Sequence, residues 1–445
     1  MMGSWYTGAT RAQWLALTAA LLGWMFDGFE QGIFPIVMRP ALIDMLDLHV
    51  DDEISRDKSL TEQERASAKT RIDGQVAPWY GAITAAFLVG AALGGWGFGW
   101  LGDRIGRVRA MMLSVLAYSI FTGLCGLAQT PLQLMGLRFL AALGMGGEWA
   151  LGVALVMESW SAHARPMLAG LIGAAANVGF MLAAFLVIGV EALGFLMREG
   201  GTWRFVLGAC AIPALLTFFI RMFVPESEKW QAATLTGPKP SMIEIFTEGR
   251  WRRTIPGALL CAAALMGTWG AVQWVVPWAS QIGGQAVAGQ AQIALALGAI
   301  LFAILAAVIG SKYSRRGGYF VLAVGALLSS QFLFRYFNGT TQVDISFLLS
   351  AFLVGGCTAA FYGWFPLYLP ELFPTRLRAT GQGFCFNIGR IIAAGGALMG
   401  SWLTSKEGPF KGDYAMMGAT LSLVYLVAIG LAWFAPETKG QPLPD

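Results

Sequence analysis

The chain has 445 residues, 56% of them hydrophobic and only 13% charged, with a formal charge of +4 and a mean hydropathy of +0.60. A soluble globule carries roughly a quarter charged residues, so this composition excludes one. The basic residues are scattered over loops, which points to orientation in a lipid bilayer and not to nucleic acid. The five cysteines (Cys125, Cys210, Cys261, Cys357, Cys385) all fall inside apolar runs. They suggest neither a disulfide framework nor a metal site. No nucleophile and base are paired, so no enzyme is expected.

Apolar runs recur near 14–38, 78–101, 109–129, 131–157, 167–190, 204–224, 255–280, 291–310, 319–337, 344–369, 379–403 and 413–434. Each can cross a hydrocarbon core of about 30 Å as a helix. The expected fold class is an all-α polytopic membrane protein with twelve transmembrane helices in two six-helix bundles. The first run is too long for a cleaved signal, holds two acids and lacks a small-residue cleavage pattern, so it reads as a permanent span. Twelve crossings put both termini on one side. The excess of Lys and Arg on that side places it in the cytoplasm of the cell (inner) membrane.

The expected units are a first bundle over 12–224, with a long extracytoplasmic loop at 39–77, a central cytoplasmic loop over 225–254, and a second bundle over 255–434. Within the long loop, "SLTEQERASAKTR" pairs Ser59 with Glu62 as a capping box, predicting a short surface helix. Six spans plus six suggest a binding site between the bundles near the bilayer midplane.

Ionisable groups inside spans are functional candidates, because an unpaired charge in lipid costs several kcal/mol. In span 1, "LLGWMFDGFEQGIF" places Asp27 and Glu30 at i and i+3, roughly on one side of the helix. In span 4, Arg138 lies at a depth similar to Glu30 and is the expected partner for one of the two acids. This pair either fastens helices 1 and 4 or takes part in proton coupling, with Asp27 the favoured carrier. Glu148 in "GMGGEW" is a second coupling acid or a polar link. Span 5 offers Asn177, span 7 Trp269, Gln273 and Trp274, and span 10 Tyr362 and Trp364; each suits a ring or hydroxylated acid, or simple packing. In span 11, Arg390 follows Asn387 by three residues. Its planar fork is suited to grip a carboxylate.

The loops are distinctive. "GWLGDRIGRVR" between spans 2 and 3 carries Asp103, Arg104, Gly106 and Arg107, and resembles the G-x-L-x-D-R-x-G-R loop of the major facilitator superfamily. "GSKYSRRGGY" after span 8 keeps Arg315, Arg316 and Gly317 but puts Ser314 where the acid would fall, so a weaker or different second latch is expected. "VPESEKW" with Glu226, "PELFPTRLRATGQG" with Glu371, Arg376 and Arg378, and "APETKG" resemble sugar-porter loops. "RFLAALGMGGEWALGVALVMESW" and "GFCFNIGR" are closer to the sialate/lactate and aromatic-acid proton symporters, and "FDGFE" is similar to the aromatic-acid motif with Glu30 in place of its second Asp. Glu158 and Arg165 resemble the superfamily's cytoplasmic charge network.

The resemblance implies a secondary transporter that moves a small organic anion (monocarboxylate, sialate or aromatic acid) by proton symport and alternating access. It needs no cofactor beyond the coupling proton, and a monomer in the bilayer is expected. A sugar or polyol transporter is the alternative. Against it, span 7 has Gln273 alone where paired glutamines would be expected. A nutrient sensor is a second alternative, but a long signalling tail is not expected after Gly440.

Overall fold

The computed structural model describes residues 6–57, 59–193, 202–210, 218, 222–236, 240–404, 408–410 and 413–444, and among these it is helical without strands. The first bundle contains α1 (Arg11–Met45), α3 (Glu62–Ile105), α4 (Arg107–Cys125), α5 (Pro131–Ser159) and α6 (Arg165–Leu193). A short α2 (His49–Arg56) follows α1, and α7 (Thr202–Ala209) follows α6. The central connection holds α8 (Glu228–Thr236). The second bundle contains α9 (Trp251–Met266), α10 (Val275–Gly310), α11 (Arg315–Tyr336), α12 (Ile345–Tyr368), α13 (Arg378–Thr404), α14 (Tyr414–Leu421) and α15 (Val424–Leu431).

Ten helical stretches of the described residues are long and apolar enough to cross a membrane. α1, 35 residues long, supplies another crossing; its acids lower its hydropathy. Ten of the 21 residues of the span expected over 204–224 lie outside the described residues.

Local chemistry accounts for the helix starts. Thr10 caps α1 by accepting from the backbone N of Gln13 at 3.3 Å, while Oε1 of Gln13 takes the N–H of Thr10 at 2.8 Å. The capping box in the long loop sits two residues later than expected. Thr61 accepts from the N of Glu64, and Glu64 Oε2 accepts from the N of Thr61 at 3.0 Å. Ser59 instead bonds Asp57. The helix so started is no separate surface element. It runs 44 residues to Ile105, straight through Pro78, and its first turns stand clear of span 2.

Span 7 departs from a straight rod. After α9 the chain widens into a π-turn over Gly267–Ala271, then tightens into a 3-10 turn over Val272–Trp274. α10 is broken at Gly284, whose φ of 83° suits glycine. There span 7 gives way to span 8.

The first and last described helix-flanking segments lie on one face. Gln13 Nε2 donates to the carbonyl of Ser159 at 2.7 Å, Trp160 Nε1 donates to that of Gln13 at 3.2 Å, and Arg378 Nη2 donates to that of Pro444 at 2.7 Å. We call this the terminal face. On its side a single apolar core runs through both bundles, from Leu17, Trp24 and Trp149 to Phe361, Trp364 and Phe386. Large apolar side chains such as Leu113, Ile120, Leu301, Leu328 and Leu349 point outward, as lipid requires.

Small residues set the helix spacing. A Cβ on Gly94 of α3 would lie 1.9 Å from the carbonyl oxygen of Leu143 in α5, whereas one on Gly97 would meet nothing within 4 Å. Overpacking a close contact costs about 1–3 kcal/mol. Gly94→Val is therefore expected to lower the unfolding temperature in detergent by several degrees, and Gly97→Val to leave it nearly unchanged.

Candidate functional site

The two acids of α1 separate in the fold. Glu30 Oε1 accepts from Nη1 of Arg138 on α5, and both residues are 1% exposed. The Arg138 guanidinium carbon lies 3.6 Å from the ring centre of Phe34 and 4.7 Å from that of Phe87. The cation is thus paired and sandwiched between two π-faces, which offsets part of its desolvation. Asp27 is fully buried one turn closer to the terminal face. Tyr118 of α4 lies within electrostatic reach of Asp27, Glu30 and Glu148.

Asp27 faces the seam between the bundles. Trp24, on its side of α1, sets its ring 6.4 Å from Phe386 of α13, edge to face. Phe386 also stacks on Trp149 of α5, with centroids 3.8 Å apart and planes at 14°. Tyr362 of α12 closes the group 6.2 Å from Phe386. These four rings form an aromatic floor between the bundles. One turn above it, Arg390 holds its guanidinium carbon 5.6 Å from the centre of Phe386. Arg390 is 5% exposed, and its Nη1 has no hydrogen-bond partner among the described residues. It lies within electrostatic reach of Asp27 and Tyr362. Thr268, in the π-turn of span 7, lies near Tyr362, and its hydroxyl donates to the carbonyl of Ala264 at 3.1 Å.

The other expected substrate residues are placed differently. Asn387 crosses the seam: its Nδ2 donates to Gly383 at 2.9 Å and reaches Gly146 of α5 at 3.4 Å. A Cβ on Gly95 would lie 1.9 Å from that nitrogen, so Asn387 packs the bundles together. Trp364 is a correction: it is fully buried in the second bundle, its ring 4.4 Å from Tyr368 and 5.2 Å from Tyr319. Trp274 stacks on Tyr414 at 5.8 Å, away from Arg390, and Gln273 donates to the carbonyl of Trp269 in its own helix. Trp269 packs at the seam with Phe87, Leu88 and Ala394. Asn177 donates to Gly173 at 3.3 Å, also within its helix. Glu148 is buried beside Trp149.

Sequence reasoning missed Trp24, Trp149 and Phe386. The available signal was their spacing: Trp24 precedes Asp27 by three residues, and Phe386 precedes Arg390 by four.

Toward the terminal face the seam is bolted by charge. Asp103 Oδ1 accepts from Arg107 Nη1 at 2.7 Å and from the N of Ala379 at 3.2 Å. Its Oδ2 accepts from the N and Oγ1 of Thr380 at 2.7 and 2.6 Å. An acid of the first bundle thereby caps the N-terminus of α13 in the second. Arg107 Nη2 donates to Glu158 at 3.0 Å and to the carbonyl of Thr375 at 2.7 Å, and Arg378 donates to the same Glu158 oxygen at 3.1 Å.

Glu226 caps α4 through the N–H groups of Arg107 and Val108 at 2.9 and 3.1 Å. Burial raises its pKa, with those donors offsetting part of the rise. Gly106 has φ 111° and leaves room for this carboxylate. Arg165 donates to Met157 at 3.1 Å. Arg376 pairs with Glu244 of the central connection. Arg104 stays outside the network, exposed, with its guanidinium carbon 4.6 Å from the Trp100 ring.

The second half repeats this arrangement and corrects the expected register. Arg315 grips Glu371 with two bonds of 2.9 and 2.7 Å, and Glu437 caps α11 through the N of Arg315 at 2.9 Å, as Glu226 caps α4. Arg315 reaches Gly310 as Arg107 reaches Gly102. Ser311, not Ser314, therefore stands where the acid would fall, and Ser314 takes the place of Gly106 and caps α11 through Gly317. The second latch is sound within its own bundle; what it lacks is the acid that crosses the seam.

Residues 16–236 match the family described as "Sugar (and other) transporter". The chain is 30% identical over 374 residues to the cis,cis-muconate transport protein of Acinetobacter baylyi, covering 81% of this chain and 86% of that one. The chain belongs to the major facilitator superfamily of transporters. It is a multi-pass membrane transporter and not an enzyme. A second superfamily relative, a probable 4-methylmuconolactone transporter of Cupriavidus pinatubonensis, is 28% identical over 99% of this chain and 94% of its own. The solved structure of the superfamily's proton:xylose symporter XylE superposes with a TM-score of 0.70 at 19% identity, covering 97% of each chain. This likeness extends the shared fold along the whole length.

Removing one member of a buried ion-pair network costs about 3–5 kcal/mol, whereas surface changes stay within about 0.5 kcal/mol. Asp103→Ala is therefore expected to lower the unfolding temperature markedly and Arg104→Ala hardly at all. A second expectation concerns pH. Burial acts to raise the pKa of Glu244, but the hydrogen bond and charge of Arg376, with Arg250, outweigh it and hold the group below its ordinary value. A depressed carboxylate stabilises above its unfolded pKa of about 4.3, and that stability is lost as pH falls through the lower folded value. Thermal scans should show Glu244→Gln less stable than the parent at pH 7, with the gap closing below about pH 4.

Proposed function

We propose that this transporter carries a small organic anion, of the planar unsaturated or aromatic acid class, by proton symport and alternating access. It works in the inner membrane with both termini, and hence the terminal face, in the cytoplasm. The observation that carries the reading is Arg390: a buried guanidinium in the seam, over an aromatic floor, with one arm lacking a hydrogen-bond partner among the described residues. A carboxylate supplies the missing bonds, and the rings beneath suit a flat carbon skeleton. The similarity to the cis,cis-muconate transport protein and the probable 4-methylmuconolactone transporter supports that class.

Glu30 with Arg138, and Asp27 beside them, are the proton-coupling groups in this reading. The closed clamp of Asp103, Arg107, Glu158 and Arg378 corresponds to a state shut toward the cytoplasm. Substrate and proton together favour its release, to the extent that each binds the open state better. The sugar reading keeps some support from the family description, but the amide of Gln273 is engaged within its own helix.

Proteoliposomes with an imposed pH gradient test the proposal with labelled cis,cis-muconate, benzoate, sialate, lactate and xylose. An inward proton gradient is expected to drive uptake of one of the acids. Arg390→Gln should reduce that uptake about 10- to 100-fold, the loss of a charge-assisted contact of about 1.5–3 kcal/mol. Uptake of xylose alone, or unchanged acid uptake by Arg390→Gln, would count against it.

A further inference from the structure

Gln382 belongs to neither the clamp, the aromatic floor nor the anchor. Yet it is fully buried, and neither Nε2 nor Oε1 of its amide has a hydrogen-bond partner among the described residues. A buried amide left unpaired at both ends is costly, and an apolar side chain of similar size would fill the same space without that cost. Its place is fixed by its neighbours on α13. Ala379, three residues before it, packs with Ala16, Val108 and Leu151 of the first bundle. Phe386, four residues after it, meets Trp24 and Trp149. Spacings of three and four put Gln382 on the same side of the helix as both, at the seam.

At 1.5 Å per residue, Gln382 lies about 6 Å below Phe386, about 12 Å below Arg390 and about 3 Å above Thr380. It therefore stands between two barriers, under the floor and over the bond of Thr380 to Asp103. A second orphan belongs to the floor itself. Trp149 Nε1, in the ring stacked on Phe386, is buried without a partner among the described residues. Gln382 Nε2 and Trp149 Nε1 are both donors, so the ligand they call for is an acceptor. Asn387 is different, because its amide nitrogen lies against Gly95 of α3 and is already engaged with Gly383. Below Gln382, the start of α13 adds the positive end of a helix dipole, held in this state by Asp103.

We infer that Gln382 is a second, inner station for the substrate carboxylate, distinct from Arg390 and occupied on the cytoplasmic leg of the cycle. In the closed state the seam is shut at this level: a Cβ on Gly383 would lie 2.1 Å from the carbonyl oxygen of Gly95. Release of the clamp parts α13 from the first bundle and uncovers the amide. A carboxylate that leaves Arg390 and passes Phe386 then accepts from Nε2 of Gln382. Beyond it lie the N–H groups of Ala379 and Thr380, which Asp103 gives up when the clamp opens. A neutral amide holds an anion less tightly than a guanidinium does. The grip on the substrate thus falls stepwise toward the cytoplasm, which favours discharge over trapping. No covalent bond changes.

This inference rests on Arg390 being the anion anchor, so the test separates the two. Right-side-out and inside-out membrane vesicles carrying the full-length protein are loaded with unlabelled cis,cis-muconate. Their exchange for labelled muconate, at equal pH on both sides, gives an apparent KM for each face. Gln382→Leu should raise KM at the cytoplasmic face about tenfold, the loss of one charge-assisted bond, and leave KM at the outer face unchanged. Its unfolding temperature in detergent should not fall, because the residue removed is an unpaired amide. Gln382→Glu keeps the length but sets a like charge on the station, and should raise the cytoplasmic KM further than Gln382→Leu does. An unchanged cytoplasmic KM in Gln382→Leu, an equal shift at both faces, or a milder effect of Gln382→Glu overturns the inner station. Unchanged KM at both faces in Arg390→Gln overturns the anchor instead.

Discussion

The constraint on which the structure depends is the cost of a bare charge where water is scarce. The buried ionic side chains meet it in distinct ways. Arg138 is paired with Glu30 and sandwiched by two rings. Arg107 spends its donors on Asp103, Glu158 and two carbonyls. Glu158 gathers two arginines and a serine hydroxyl. Arg390 has only partial satisfaction over Phe386. In a bilayer protein a group left in that condition is a candidate binding element, which is why the proposed anion site is centred on it.

The layers of the seam follow from the same constraint. At the terminal face polar groups form a clamp, and it belongs to the helix ends, where backbone N–H groups need acceptors. Asp103 meets that need for α13, Glu226 for α4 and Glu437 for α11. Further in, aromatic rings from both bundles exclude water from the level of Asp27 and Arg390. The clamp and the floor are thus two barriers in series below one site.

Much of this was legible in the sequence. Run lengths marked the spans, and the loop motifs located the clamp residues, because charge at fixed spacing in a short turn leaves few geometries. The depth of Glu30 matched that of Arg138 from helix rise alone. Other features were hidden for physical reasons. Whether Arg138 meets Asp27 or Glu30 depends on helix rotation, which a spacing of three residues does not decide. Phe386 looked like any core ring until its neighbours were known. The register of the second latch was misread because Arg315 and Arg316 are adjacent and the motif letters alone allow a slip; the bonds of Arg315 to Gly310 and Glu371 resolve it. Thr61 outcompeted Ser59 as a cap because Asp57 had already engaged Ser59.

The π-turn at Gly267–Ala271 explains one further miss. A wide turn retards the rotation of the chain and the tight 3-10 turn after it, over Val272–Trp274, advances it, so the span does not keep one uniform phase. Gln273 bonds the carbonyl of Trp269 within its own helix and Trp274 stacks on Tyr414, while Thr268 within the wide turn lies near Tyr362. Span 7 is in effect two helices joined out of phase. The wide turn also sets which of the span's polar groups lies near the aromatic floor.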